Sequence, residues 1–294
     1  MNRRAPAARC LLLAAAALVV AACGMGTRLA YNNVGTMYSN AAPMLAWMVD
    51  DFVDMTGAQK DWVRERFARA LAWHRTAELP AYRRLLEQTA EKAEEPFTPA
   101  DVTAVLRELR ATYDRTLEHL LPHVADFVLL LDAEQIAGLE RKFAEDNRRM
   151  AKELGRGSAE DKLRRRAERS VDHLEEFTGR LSAAQKKLVA DHTRAFLDTT
   201  EPRMAERRVR QAETLALLRA KPDREKLVAG LRRLLIDVNS WRRPEYREML
   251  RAREAQVVAM IVALSETLTP EQREHLQRRL RGYAAEFRSL SAAT

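Results

Sequence analysis

Five times along this sequence an apolar residue precedes a small oxygen-bearing one, and Gln or Asp follows three positions later at the head of an amphipathic run. The copies are Met55-Thr56-Gly57-Ala58-Gln59, Phe97-Thr98-Pro99-Ala100-Asp101, Leu131-Asp132-Ala133-Glu134-Gln135, Leu181-Ser182-Ala183-Ala184-Gln185 and Leu268-Thr269-Pro270-Glu271-Gln272. The first oxygen can accept from a free amide of a helix's first turn, and the residue three positions on can reach back to the cap amide. Thr56, Thr98, Asp132, Ser182 and Thr269 are therefore predicted helix N-caps. Pro99 and Pro270 fall at the first helical position, where a missing N–H costs nothing. Phe97 with Val102, and Leu131 with Ile136, have the spacing of a hydrophobic staple.

Each cap opens a stripe of period 3.6. Leu276, Leu280, Tyr283, Phe287 and Leu290 form the cleanest; Ile136, Leu139, Phe143, Met150 and Leu154 form another, and Val102, Leu106, Leu109 and Tyr113 a third. Further starts are marked by Pro80, Ser158, Pro222 with Asp223, and Pro244, while Pro122 and Pro202 are expected to kink or divide long helices. Only 10 Gly and 10 Pro interrupt 294 residues. Ala, Leu, Arg and Glu dominate instead, and these are strong helix formers. The expected fold is all-α, a multi-helix bundle of roughly nine to eleven helices. Gly155-Arg156-Gly157-Ser158 is the best internal break, and predicts an N-terminal half over 43–154 and a C-terminal half over 158–290. The cap spacings keep no strict period, so a solenoid is not expected.

The N-terminus carries an address. Arg3, Arg4 and Arg9 precede an unbroken apolar run from Leu11 to Ala22, too short to span a bilayer, as in a secretory signal. Val19-Val20-Ala21-Ala22-Cys23 resembles the bacterial lipobox: an aliphatic residue, two small residues, then the cysteine that takes a diacylglycerol on its thiol. That resemblance implies a signal peptide over 1–22, cleavage between Ala22 and Cys23, and a lipidated N-terminus and tether over 23–42. Palmitate-type acyl chains would hold the chain to the membrane, since each buried methylene contributes about 0.8 kcal/mol and two chains or more anchor stably. The other cysteine, Cys10, lies in the discarded segment, which leaves no thiol for disulfides, metal or catalysis. Losing three arginines would lower the net charge from +8 to +5. In that compartment nucleic acid is not an expected partner; anionic cell wall or lipid is. Gly24, where the sorting rule of enteric bacteria would place Asp for inner-membrane retention, favours the outer membrane, facing the periplasm.

Arg28-Leu29-Ala30-Tyr31-Asn32-Asn33 follows the lipobox. Then come Trp47-Met48-Val49-Asp50-Asp51-Phe52-Val53-Asp54, the Thr56 cap, Leu71-Ala72-Trp73-His74-Arg75 and Glu78-Leu79-Pro80-Ala81-Tyr82. This succession resembles an uncharacterised family of bacterial lipoproteins, the domain-of-unknown-function 6279 family, over nearly the whole chain. The resemblance implies a localisation and no established activity. The Leu-Thr-x-x-Gln cap at Leu268–Gln272, and approximately that at Leu181–Gln185, is also similar to caps of the Spy and CpxP periplasmic helical chaperones.

Asp50, Asp51 and Asp54, beside Trp47 and Trp62, offer oxygen ligands suited to calcium or magnesium. The sequence lacks a glycine-centred loop and a bidentate Glu, so pairing with Arg64 and Arg66 is the expected use. His119 and His123 could share one helical face toward zinc, but no His-Glu-x-x-His pattern accompanies them and Pro122 intervenes. No bound metal and no cofactor are expected. His74 and Glu78 are spaced for a helical ion pair, and His192 falls on an apolar stripe with Leu188 and Phe196. There is no Gly-x-Ser-x-Gly motif and no glycine-rich phosphate loop. The arginine clusters Arg164–Arg166, Arg207 with Arg208 and Arg210, Arg232 with Arg233, and Arg278 with Arg279 and Arg281 are interleaved with acids, as on a solvated, ion-paired face. The expected function is that of a lipid-anchored binding or structural component of the cell envelope, not an enzyme. The alternative is a Spy-like ATP-independent chaperone or stress-response binder. The stripes look only wide enough for the chain's own core, which predicts no surplus apolar face.

Overall fold

In the computed structural model, residues 38 and 40–292 are described, and among them there are eleven α-helices, one 3-10 turn and no strand. Cys23, Ala22 and the rest of the expected signal and lipobox lie outside the described residues. The helices are α1 (Ala41–Val53), α2 (Gly57–Ala77), α3 (Leu79–Lys92), α4 (Pro99–Val128), α5 (Ala133–Gly155), α6 (Ala159–Thr178), α7 (Ala183–Ala195), α8 (Thr200–Ala220), α9 (Arg224–Leu235), α10 (Pro244–Glu266) and α11 (Pro270–Ala292).

All five predicted caps stand at helix starts. Asp132 and Ser182 close full capping boxes with Gln135 and Gln185, and Ser158 closes one with Asp161. The Thr56, Thr98 and Thr269 hydroxyls each accept from the backbone amide three residues on, at 3.3, 3.2 and 3.3 Å. Asp223 caps α9, and Pro244 opens α10. Neither of the two prolines expected to kink or divide long helices divides one. Pro122 lies inside α4 without dividing it, flanked by the buried Leu120, Leu121 and Ala125. Burial of that face holds the helix where a proline alone would weaken it. Pro202 sits in the first turn of α8, where its lost N–H has no intrahelical partner to forfeit.

The chain does not divide into sequential halves over 43–154 and 158–290. It forms two compact units, each assembled from three segments. Unit 1 takes the residues up to Arg75, Tyr113–Arg156 and Pro202–Arg242; unit 2 takes Thr76–Thr112, Gly157–Glu201 and Arg243–Thr294. The break at Gly155–Ser158 is a real crossing point between them, but only one of several. Long helices carry the chain across without a loop, at Arg75 in α2 and Tyr113 in α4, which is why sequence punctuation misses those crossings.

Unit 1 holds two apolar cores. One gathers Phe52, Val63, Phe127, Leu139, Phe143 and Leu218. The other gathers Leu45, Leu71, Leu117, Leu121, Leu227 and Leu231. Unit 2 has its core around Leu181, Val189, Phe196, Leu264, Leu276 and Leu280.

Within each unit two helical hairpins are joined corner to corner. In unit 1 the hairpins are α1–α2 and the end of α4 with α5. The Gln59 Nε2 donates to the Leu130 carbonyl at 2.9 Å and to Gln135 Oε1 at 3.1 Å. The Gln135 Nε2 returns bonds to the Asp54 carbonyl at 3.2 Å and Gln59 Oε1 at 2.7 Å. In unit 2 the hairpins are α6–α7 and α10–α11, and the pattern repeats. Gln185 Nε2 donates to the Thr267 carbonyl and to Gln272 Oε1, both at 2.8 Å. Gln272 Nε2 donates to the Arg180 carbonyl at 2.8 Å and Gln185 Oε1 at 3.0 Å. In all four cases the accepting carbonyl lies two residues before the partner helix's cap. The apolar residue just ahead of each cap, Met55, Leu131, Leu181 or Leu268, is buried beneath the joint.

These joints set the cost of losing them. Gln135→Ala should destabilise the protein by about 2–4 kcal/mol, because it removes the buried partner of the Gln59 amide together with the α5 cap bond and the tie to the Asp54 carbonyl. Thr98→Ala, which removes only a local cap, should cost about 1 kcal/mol. Urea denaturation of the pair Gln59→Ala and Gln135→Ala should give a double-mutant loss smaller than the sum of the singles. Strict additivity would show that the two amides do not act together.

Candidate functional site

The acidic cluster is structural in its geometry. Asp50 Oδ1 accepts from the Met55 amide at 2.8 Å, and its other oxygen lies 3.0 Å from the Lys60 ammonium. Asp51 pairs with Lys142 at 2.9 Å, and Asp54, at φ 46°, takes the left-handed turn that ends α1. The expected partners were Arg64 and Arg66. Arg64 instead meets Asp61 at 3.2 Å, and the Arg66 guanidinium lies 5.0 Å from the Trp62 ring centre. Unit 2 repeats the Asp50 arrangement with Glu175, which accepts from the Leu181 amide at 2.9 Å and pairs with Lys186 at 2.8 Å. A carboxylate therefore holds the residue ahead of the cap, and a lysine one turn into the next helix holds the carboxylate.

His119 stacks on Trp73 with ring centres 3.7 Å apart and planes 4° from parallel, and the His119 and His123 rings lie 5.9 Å apart, edge to face. Burial lowers the pKa of both, and their mutual repulsion adds to this at His119. Nearby arginines, Arg66 first, add to it at His123. No group of three or more His, Cys, Asp or Glu that could hold a metal occurs among the described residues.

His74, spaced for a helical ion pair with Glu78, lies in the interior. It is 2% exposed, and the Tyr38 hydroxyl lies 2.8 Å from its Nδ1. Burial lowers its pKa to about 4, which favours the neutral ring at pH 7. His192 is also displaced: the buried positions of α7 are Gln185, Val189 and Thr193, and His192 is only half-buried beside them.

The arginine clusters are largely paired. Arg164 meets Asp161 at 2.7 Å, Arg166 meets Asp198 at 3.4 Å, and Arg232, Arg233 and Arg278 bind Glu118, Glu213 and Glu274. These are exposed pairs of small energetic weight individually.

One broad recess was not legible in the sequence. It is a groove of about 750 Å³ in unit 2, formed by α3, the first half of α4 and Ile261 of α10. Leu85, Phe97, Val105, Leu106 and Ile261 lie half-buried along it. Lys92 and Asp101 pair at 3.6 Å at one end, and the Phe97 amide donates to Ser265 Oγ at 2.9 Å. The stripe beginning at Val102 is thus only partly covered, contrary to the expectation of no surplus apolar face. Its width matched a core stripe; what the period could not show is that its neighbours leave it open.

A family described as "Family of unknown function (DUF6279)" matches residues 51–247. The chain belongs to this family. The DUF6279 match contains the whole Gln59–Gln135 joint and the Gln185 side of the second, and ends before Gln272. No curated protein and no solved structure matches the chain significantly. No helix among the described residues is long and apolar enough to cross a membrane.

Burial of His74 has a measurable consequence. Its folded pKa of about 4 lies below the ordinary 6.5, so between these values the unfolded chain binds the proton more tightly. Stability should therefore rise with pH from about 4 to 6.5 and be retained above, with a contribution on the order of 3 kcal/mol at neutral pH. His74→Gln should flatten that part of the pH–stability curve. An unchanged slope in denaturant titrations at pH 4.5, 5.5 and 6.5 would contradict the assignment.

Proposed function

We propose that this DUF6279 protein is a lipid-anchored component of the cell envelope, held at the outer membrane by Cys23 and facing the periplasm, and that it acts by binding or as a structural element and not by catalysis. The address is supported by the arginine-flanked apolar run and the lipobox-like Val19–Cys23. The observation that carries the non-catalytic reading is where the reactive side chains stand. The glutamines close the hairpin corners, Asp50 and Asp51 are bonded to lysines, and His119 is stacked against Trp73. Groups engaged in this way support a scaffold reading. The partners proposed are the membrane, through the N-terminal lipid, and an envelope protein or an anionic cell-wall or lipid surface meeting the arginine-rich faces. Nucleic acid is not among them.

Mass spectrometry of the mature N-terminus tests the address. The native protein should begin at a diacylated or triacylated Cys23 and fractionate with outer membranes. Cys23→Ala should leave it uncleaved or unanchored. An unmodified Cys23, or a start elsewhere, refutes the lipoprotein reading.

The half-buried groove of unit 2 favours one second reading, a Spy-like ATP-independent chaperone, because a client chain needs apolar surface left open. The scaffold reading predicts that residues 24–294 do not suppress aggregation of an unrelated denatured protein at near-stoichiometric ratio. Robust suppression, weakening as the screening length falls from about 10 Å to 3 Å with added salt, would establish the chaperone in its place.

A further inference from the structure

Unit 1 contains a smaller recess of a different character. A cavity of about 90 Å³, partly open to solvent, lies among side chains of α1, α2, α4, α5, α8 and α9. Its wall is apolar except for Arg66, His123 and Thr214. The Thr214 hydroxyl already donates to the Arg210 carbonyl at 2.8 Å. Arg66 is in another situation. Its guanidinium lies against Trp62, no carboxylate among the described residues stands within ion-pair distance, and its Nε is buried without a hydrogen-bond acceptor among them. Buried donors of charged groups are rarely left so, because the lost solvation is not replaced.

The charges around this end of the cavity are unbalanced. Arg66, Arg69 and Arg224 all act on His123 as cations, with Asp126 as the opposing acid. Asp126 is committed to Arg224, at 2.5 Å to Nε and 3.3 Å to Nη2, and Arg69 is bonded to Glu65. Among the described residues Arg66 has no carboxylate of its own, and it stands beside an apolar void.

We propose that this cavity binds a monoacyl anion, its hydrocarbon tail among Phe127, Leu139, Phe143 and Leu218 and its carboxylate or phosphate head accepting from Arg66 with His123 alongside. Each requirement of the site selects that class. A metal ion would be repelled by the arginines. Water needs two to four polar partners, and this wall gives it the Arg66 nitrogen and little else. An inorganic anion would satisfy Arg66 and leave the apolar wall unfilled. A neutral hydrocarbon would fill the wall and leave Arg66 stranded. An anionic amphiphile does both, through a charge-assisted hydrogen bond at one end and apolar burial at the other. The enclosed volume fits about three methylenes, each taking roughly the ~30 Å³ of a water, with the chain continuing through the opening. A medium-length acyl chain is therefore the fitting probe. This site lies apart from the groove of unit 2 and does not depend on the envelope address.

The test uses the chain from residue 23 with Cys23→Ser, so that no lipid of its own competes. Octanoate, 1-octanol and an eight-carbon lysophospholipid are compared by calorimetric titration and by thermal shift, below their micellar concentrations. Octanoate should bind one to one and raise Tm, and octanol should bind at least tenfold more weakly. Arg66→Gln should lose about tenfold in octanoate affinity while leaving octanol unchanged. Leu218→Phe should fill the void, abolishing binding of both while keeping Tm at or above that of the parent. Should Leu218→Phe fail to fold, Val63→Leu removes part of the same volume and should weaken both ligands together. Tighter binding of the lysophospholipid than of octanoate assigns the ligand to membrane lipid, and the reverse assigns it to free acid. No thermal shift with either anion, equal affinity for octanoate and octanol, or an Arg66→Gln variant that binds octanoate normally would overturn the proposal.

Discussion

A glutamine amide offers two donors and one oxygen with two lone pairs. At the corners of this protein every one of them is used. The oxygen of Gln59 accepts from the Thr56 amide at 2.9 Å and from Gln135 at 2.7 Å, and its nitrogen serves Gln135 and a loop carbonyl. Gln135, Gln185 and Gln272 do the same. One side chain thus closes its own helix start, pairs with the opposite start and ties down the opposite loop. Asn would be a methylene too short to reach, and Glu would have no proton to give. The fifth cap shows the contrast. Asp101 accepts from the Thr98 amide and hydroxyl at 3.0 and 2.6 Å. That closes a local turn; beyond it Asp101 meets only the Lys92 ammonium at the end of α3, at 3.6 Å, and ties down no opposite loop.

The two joints also reveal a repeat that the unit boundaries disguise. Hairpins α1–α2 and α6–α7 share the same supporting carboxylate and lysine, Asp50 with Lys60 and Glu175 with Lys186. Each is stapled to a second hairpin, α4–α5 or α10–α11. Between the stapled hairpins the chain makes an excursion: α3 and the start of α4 in the first half, α8 and α9 in the second. Each excursion packs in the other half's unit. The sequential halves are therefore the repeats, and the compact units are what results when the repeats exchange their middle segments.

The sequence made the helices legible because their starts are local. Ser158, Ser182, Asp132 and Asp223 each bond an amide within three residues, and a pattern that closes over so short a span can be read from order alone. What the sequence concealed is long in range. Gln59 and Gln135 are 76 residues apart, and each looks like an ordinary capping residue until its partner is in place. His74 shows the same limit: the spacing to Glu78 is visible in the sequence, while the burial supplied by packing is not. Arg66 is close to the aspartates in sequence, yet it is Lys60 and Lys142 that pair with Asp50 and Asp51.

Both recesses lie where an exchanged segment meets the stapled hairpins. Thr214, Leu218 and Leu231 bring α8 and α9 to the cavity of unit 1, and α3 with the start of α4 forms most of the groove of unit 2. This placement follows from how each part is specified. The corners are fixed by directional hydrogen bonds that tolerate little variation, and a staple that slips by one residue loses all of its partners. The excursions are held mainly by side-chain packing, which is non-directional and accepts volume changes at modest cost. Equivalent frames can therefore carry unlike inserts, one nearly closing over its unit and the other leaving an apolar face open. The openings into the two units are therefore shaped by the inserted helices, while the stapled corners fix the frame around them.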